Sequence, residues 1–218
     1  MKRNRTIITV LTFGVVFLLW LFCLPKDPFR CAPYSTVVLD RNGELLGARV
    51  ADDGQWRFPP CDSLPSKYKA AVVEFEDRGF WYHPGFSIKA IGRALIQNIK
   101  GGHTVSGAST ITMQVVRLSR NKPRTVWQKA VEIFMATRLE SLTTKDKILC
   151  LYASHAPFGG NVIGLQAASW KYLGCEPEQM SWAEASLMAV LPNAPSSMHL
   201  AKNRETLETK RNRLLSHL

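Results

Sequence analysis

At 218 residues the chain is long enough for one domain plus an anchor, and 46% hydrophobic residues allow a real core, which excludes a disordered or fibrous protein. Charged residues, at 21%, are ordinary, but a formal net charge of +11 is not. Such a balance points to an anionic partner, whether nucleic acid, anionic lipid headgroups or a phosphorylated substrate, without choosing among them.

Met1, Lys2, Arg3, Asn4 and Arg5 open the chain as a cationic cluster, and an uncharged run follows from Thr6 to Leu24. A helix needs roughly 17–25 such residues to cross a bilayer, and its positive flank stays in the cytoplasm. Residues 1–24 are therefore expected to be a cytoplasmic tip and an uncleaved transmembrane anchor, with everything after Pro25 facing outward. Phe22, Cys23, Leu24 and Pro25 offer no small-x-small cleavage site, and bulky Phe22 before Cys23 fits a lipoprotein poorly. Of the five cysteines, Cys31, Cys61, Cys150 and Cys175 would lie in an oxidising space, and spacing leaves their pairing open. No CxxC or CxxH spacing occurs, which argues against zinc.

Residues 25–34 read as a linker. Two apolar runs, Thr36 to Asp40 and Glu44 to Val50, flank Arg41, Asn42 and Gly43, a hairpin signal. Trp56, Arg57 and Phe58 suggest a third short strand. After Pro65 the pattern turns helical and stays so. Tyr68, Ala71, Val72 and Phe75 mark one helix face. Ser87 reads as the cap of a helix carrying Ile88, Ile91, Leu95 and Ile99, stopped at Gly101 and Gly102. Further helices are marked by Ile111, Val115 and Leu118, by Val126, Ala130, Ile133, Phe134 and Thr137, and by Ile148, Leu149 and Tyr152 after Thr144. Leu165, Ala168, Ser169 and Tyr172 precede Gly174. Ser181 and Glu184 form a capping box for a helix ended by Pro192, and a basic helix runs from about Arg204 to the end. The fold class is mainly α, with a small β element near the membrane.

Two polar clusters interrupt this pattern. Glu76, Asp77 and Arg78 end a helix face and run into Phe80, Trp81, Tyr82, His83, Pro84 and Gly85. A carboxylate against aromatic surface loses solvation and becomes a better base, whereas the plain reading is a solvated acid pair. Ser106, Gly107, Ala108, Ser109 and Thr110 lead into a helix start, where backbone N–H groups can hold an anion or simply be capped. Arg117, Arg120, Lys122, Arg124 and Lys129 follow as a cationic edge. Glu132 shares a helix face with Lys129, at the spacing of an ordinary ion pair.

Taken together, these segments resemble the family 51 glycosyltransferases, the peptidoglycan transglycosylases. Glu76-Asp77-x-x-Phe80-x-x-His83-x-Gly85 is similar to the family's first motif, and Gly107 through Thr112 with Gln114 to its second. Lys129-x-x-Glu132 resembles the third and Lys145-x-x-Ile148-Leu149-x-x-Tyr152 the fourth, while Lys210, Arg211 and Asn212 resemble a remnant of the fifth. The stretches from Ala156 to Trp170 and from Ala189 to Ser196 look most like bifunctional penicillin-binding proteins. Four positions differ from the family's usual residues: Met113, Gln128 and the pair Ala153-Ser154.

The resemblance implies a lysozyme-like, mainly helical domain over residues 35–218, truncated at its C-terminal end and without a transpeptidase domain. It implies an inner-membrane enzyme with its active site outside the cytoplasm. That enzyme would polymerise lipid II with inversion and release undecaprenyl pyrophosphate. Glu76 and Glu132 would be catalytic. Glu76 would act as base, and Glu132 would position cations or a divalent metal such as Mg or Mn, or assist the leaving group. Asp77, His83, Ser109, Thr110, Gln114, Arg117, Arg124 and Lys129 would bind substrate. Partners would be lipid II, the growing glycan strand, the membrane and other wall-synthesis proteins, with no nucleic acid. The alternatives are a lytic hydrolase and an inactive anchored fragment serving only as a scaffold.

Overall fold

The computed structural model describes residues 2–25, 27–101, 108–123, 125–193 and 204–218; the side chains of residues 2–8, 10, 95 and 98–101 lie outside that description. The first helix, α1 (Lys2–Phe22), holds the N-terminal apolar run. Among the described residues no helix is long and apolar enough to cross a membrane. Trp20 Nε1 donates to Thr137 Oγ1 at 2.9 Å and the Arg138 guanidinium stands 4.9 Å from the Trp20 ring, so the end of α1 is fastened to α5 (Val126–Leu142). The expected linker is also docked. Phe29 is buried and stacks on His155 with ring centroids 3.6 Å apart, and burial pushes the His155 pKa down to about 4.

The hairpin forms from β1 (Thr36–Leu39) and β2 (Leu45–Arg49), antiparallel with Thr36 opposite Arg49. Asp40 explains the tight reversal: its Oδ1 accepts from the Asn42 and Glu44 backbone N–H groups at 2.7 and 2.8 Å. The third strand forms where expected, as β3 (Trp56–Arg57), but in another sheet. It pairs in parallel with β5 (Val162–Ile163), which pairs antiparallel with β4 (Pro157–Gly159). Those last two strands are too short to carry an alternating pattern.

The helical expectations hold. After Pro65 come α2 (Ser66–Glu76), α3 (Ile88–Gly101), α4 (Ile111–Arg120), α5, α6 (Lys145–His155), α7 (Leu165–Leu173), α8 (Trp182–Val190) and α9 (Arg204–Leu215). Their starts follow from short oxygen-bearing side chains. Thr110, Thr125 and Thr144 each accept from the backbone N–H three residues on, Ser87 does so from Ala90, and Ser181 closes a capping box with Glu184. Helix α2 packs on α8, α8 on α9, and α4 on both α5 and α6. Tyr68, Val72, Ile111, Met113, Leu139, Ile148, Leu149, Tyr152 and Met188 are fully enclosed between them.

Candidate active site

Glu76 is the last residue of α2, four residues after Val72 and eight after Tyr68, both fully buried. At helical spacing those positions form one stripe, so the apolar face that packs α2 into the core delivers a carboxylate to the core's edge. Burial raises the Glu76 pKa, and the neighbouring Asp77 pushes the same way. The C-terminal end of a helix adds partial negative charge in the same sense. Three groups oppose the rise. Gln114 Nε2 donates to Oε2 at 2.6 Å, Asn193 Nδ2 donates to Oε1, and the Arg117 charge acts from nearby. The hydroxyls of Tyr68 and Tyr152 are buried near Glu76, with no hydrogen bond of standard geometry among the described residues. Burial first, and the Glu76 charge second, raise both phenols and keep them protonated.

The next residues form a pinned loop rather than a free surface turn. Asp77 Oδ2 accepts from His83 Nε2 at 2.8 Å and from the Ile111 backbone N–H at 3.1 Å, at the start of α4. The Gly85 N–H donates to His83 Nδ1 at 3.2 Å, which fixes His83 as the tautomer protonated on Nε2. Thr110 Oγ1 donates to the Gly85 carbonyl at 2.6 Å while capping α4. Lys145 Nζ donates to the His83 carbonyl and to Glu140 Oε1, both at 2.7 Å, and stands 4.5 Å from the Phe80 ring. Gly85 itself has φ +93°, and a Cβ there would sit 2.8 Å from the Ala136 backbone carbon and oxygen. Only glycine lets the loop approach α5 this closely.

A cleft of about 710 Å³ opens beside Glu76 and Asp77. Ser109 and Thr110 line one side, and Lys89, Arg93, Lys210 and Arg213 contribute cations from α3 and α9. A second cationic group stands behind the α4 wall. Arg117 NH2 donates to Gln114 Oε1 at 3.5 Å, so it reaches Glu76 through that amide, and Lys129 Nζ donates to Ser109 Oγ at 3.2 Å.

The residues expected from sequence thus fall into groups. Glu76, Asp77, Ser109 and Thr110 line the cleft; Gln114, Lys129 and His83 each touch one of these residues, and Arg117 reaches Glu76 through Gln114. Glu132 is buried on α5, one turn from Lys129, and is not among the residues lining that cleft. Arg124, Gly107 and the stretch from Ala194 to Ser196 lie outside the described residues. Of the positions that differ from the family's usual residues, Met113 and Ala153 are fully buried, Gln128 accepts from Arg120 at 2.8 Å, and Ser154 is buried.

Sequence reasoning missed Asn193, Lys89, Arg93 and Arg213. Asn193 lies inside a Pro-x-Ala-Pro stretch that reads as a helix stop. The i,i+4 pair Lys89 and Arg93 was a signal available in the sequence, two cations on one face of an amphipathic helix. Among the described residues no group of three or more His, Cys, Asp or Glu side chains converges as a metal site.

The sequence profile described as Transglycosylase matches residues 42–218. Penicillin-binding protein 1C of Escherichia coli (strain K12) is 40% identical over 185 residues, 84% of this chain and 24% of its own length. Penicillin-binding protein 1F of Bacillus subtilis (strain 168) is 32% identical over 181 residues, 80% of this chain and 25% of its own length. The crystal structure of penicillin-binding protein 1A from Haemophilus influenzae aligns with TM-score 0.42 and 19% identity, over 84% of this chain and 17% of that one. The chain spans about a quarter of the length of these curated relatives. The family match runs from the hairpin loop to the last residue, through every element that builds the cleft. The chain belongs to the Transglycosylase family.

Proposed function

We propose that the chain is a peptidoglycan glycosyltransferase that polymerises lipid II into glycan strands, with Glu76 as general base. The observation that carries this reading is a partly buried carboxylate of raised pKa, oriented by two amides, at the rim of a cleft rich in cations. A base works best when its pKa approaches the working pH, and burial moves Glu76 in that direction. Glu76 takes the proton from the acceptor sugar's 4-hydroxyl. That oxygen attacks the anomeric carbon of the growing chain's reducing-end sugar from the face opposite the diphosphate. The carbon–oxygen bond to the diphosphate breaks, its electron pair leaves with undecaprenyl pyrophosphate, and configuration inverts.

A diphosphate is already a stable anion on leaving, so it needs cations more than it needs a proton. Arg117 and Lys129 supply them, with Arg124 as a further contributor by family resemblance. Glu132, one turn from Lys129, either positions those cations or would help hold a divalent ion, Mg or Mn, which would supply further positive charge against the leaving diphosphate. When both donor and acceptor are lipid-linked, each brings a diphosphate, and a second cationic group is needed. Lys89, Arg93, Lys210 and Arg213 meet that need on the acceptor side.

Membrane attachment belongs to the same reading. Leu11, Phe13, Leu19 and Phe22 on α1 are more than half exposed, as are Val126 and Trp127 at the start of α5. Such apolar surface is rare on a soluble monomer, and tryptophan favours the lipid headgroup level. The cationic N-terminus supports an orientation with the cleft outside the cytoplasm, on the inner membrane of the cell.

The test is incubation of detergent-solubilised protein with labelled lipid II. The parent should yield long glycan strands, and Glu76→Gln should lower the rate by about a hundredfold or more. Polymerisation unchanged by Glu76→Gln would overturn the assignment. Shortening of finished strands, with no polymer from lipid II, would make the protein a hydrolase.

A further inference from the structure

Two cysteines that glycosyl transfer leaves unused face one another outside the cleft. Cys61 lies in the segment leading into α2, and Cys150 is buried on α6. Cys61 Sγ stands 3.7 Å from Ser154 Oγ, one helical turn beyond Cys150 on the same face of α6. Reciprocally, Cys150 Sγ donates to the carbonyl of Asp62, the neighbour of Cys61, at 3.6 Å. Cys61 Sγ thus touches a residue one turn from Cys150, and Cys150 Sγ touches the residue next to Cys61, so the two thiols are close neighbours. Their closeness makes the pair unequal. The Cys150 thiol lowers the Cys61 pKa to about 7 against the opposing effect of burial, while Cys150 is raised and held protonated.

The remaining cysteines are occupied elsewhere or stand apart. Cys175 Sγ lies 3.9 Å from Ser169 Oγ, Cys23 Sγ donates to the Trp20 carbonyl at 3.2 Å, and Cys31 is exposed before the hairpin. Cys61 is partly exposed, so an oxidant can approach it from solvent.

We propose that Cys61 and Cys150 are a redox-active dithiol that closes to a disulfide on reaction with a disulfide oxidant, Cys61 attacking and Cys150 resolving. The Cys61 thiolate attacks one sulfur of the oxidant, forming a mixed disulfide and releasing the first thiolate. Cys150 then loses its proton and attacks the Cys61 sulfur, releasing the second. Two thiol hydrogens leave as protons, and the two electrons reduce the oxidant to two thiols. The bond would tie the entrance of α2, whose other end is Glu76, to α6, whose Tyr152 lies beneath that carboxylate. Closing so long a loop removes freedom chiefly from the unfolded chain, so the bond acts as a brace.

The test treats the full chain in detergent with glutathione disulfide, blocks free thiols and maps the peptides by mass spectrometry. The expected product is one cross-link, Cys61 to Cys150, with Cys23, Cys31 and Cys175 still alkylated, and a melting midpoint raised by about 5 °C or more. Cys150→Ala should stop at a glutathione adduct on Cys61, and Cys61→Ala should leave Cys150 unmodified over the same time. A persistent adduct on Cys61 in the parent chain, or a cross-link between other cysteines, would overturn the pairing without recourse to any variant. Rapid modification of Cys150 in Cys61→Ala would overturn the order of attack, and a cross-link without a rise in midpoint would overturn the bracing role.

Discussion

The Gln114 side-chain amide donates to Glu76 Oε2 at 2.6 Å while its own oxygen accepts from Arg117 at 3.5 Å. One residue on α4 thus links the carboxylate proposed as base to the Arg117 guanidinium. Because a donor to a carboxylate favours its charged form, Gln114 holds Glu76 below the pKa that burial alone would set. Gln114→Ala should raise that pKa, so the acidic limb of the rate–pH profile moves to higher pH. The activity deficit should be largest at low pH and partly recovered at high pH. A profile that drops uniformly, with no displaced limb, would refute this coupling.

Glu76 should also cost stability. Its pKa is higher folded than unfolded, so between those two values the folded chain holds the extra proton. The stabilising contribution is complete below the unfolded value and is lost as pH rises through the folded one. Glu76→Gln, which never ionises, should therefore melt higher than the parent at neutral pH, with the gain vanishing near pH 4. The exposed Asn193 can turn its amide to suit the new side chain. Each kcal/mol gained corresponds to roughly 2–4 °C for a chain of this size. Thermal melts at several pH values check it.

Gly85 admits no side chain. Gly85→Ala would have to accommodate a positive φ and a 2.8 Å approach to the Ala136 backbone, which cannot retreat as a flexible side chain could. The expected loss is about 2–4 kcal/mol in denaturant unfolding. The Asp77–Gly85 loop should loosen with it.

Asp77 sits where a buried acceptor holds two elements together. Asp77→Ala would leave the His83 Nε2–H and the Ile111 N–H without their acceptor. Destabilisation of about 3 kcal/mol is expected, with kcat falling more than KM rises, since the loop and the start of α4 carry the cleft wall. A change confined to KM would instead make Asp77 a direct substrate ligand.

The two cationic groups should separate kinetically. In the proposed reaction Arg93→Ala, in the cleft lining, should chiefly raise KM for lipid II. In the proposed reaction Arg117→Ala, behind Gln114, should chiefly lower kcat, by about a hundredfold, because further negative charge develops on the leaving diphosphate in the transition state. Steady-state kinetics of the two variants decide between this division and a single undivided anion site.

The helices and their starts could be read from the sequence because both are local. Apolar spacing selects the buried face of each helix, and Ser87, Thr144 and Ser181 cap where a short side-chain oxygen meets unpaired N–H groups. The hairpin was legible for the same reason, through Asn42 and Gly43. The tertiary structure alone decided what meets Glu76. Gln114 and Asn193 come from segments remote in sequence, and no periodicity encodes which amide reaches a given carboxylate. It likewise placed Trp56 in a sheet with Val162, set Cys61 against Cys150, and drew Lys89, Arg93 and Arg213 onto one cleft. The sequence determined which faces must be buried, because hydrophobic burial follows residue type. Packing decided which polar groups were left facing each other at the edges of those buried faces, because hydrogen bonds and charges act only over a few ångströms.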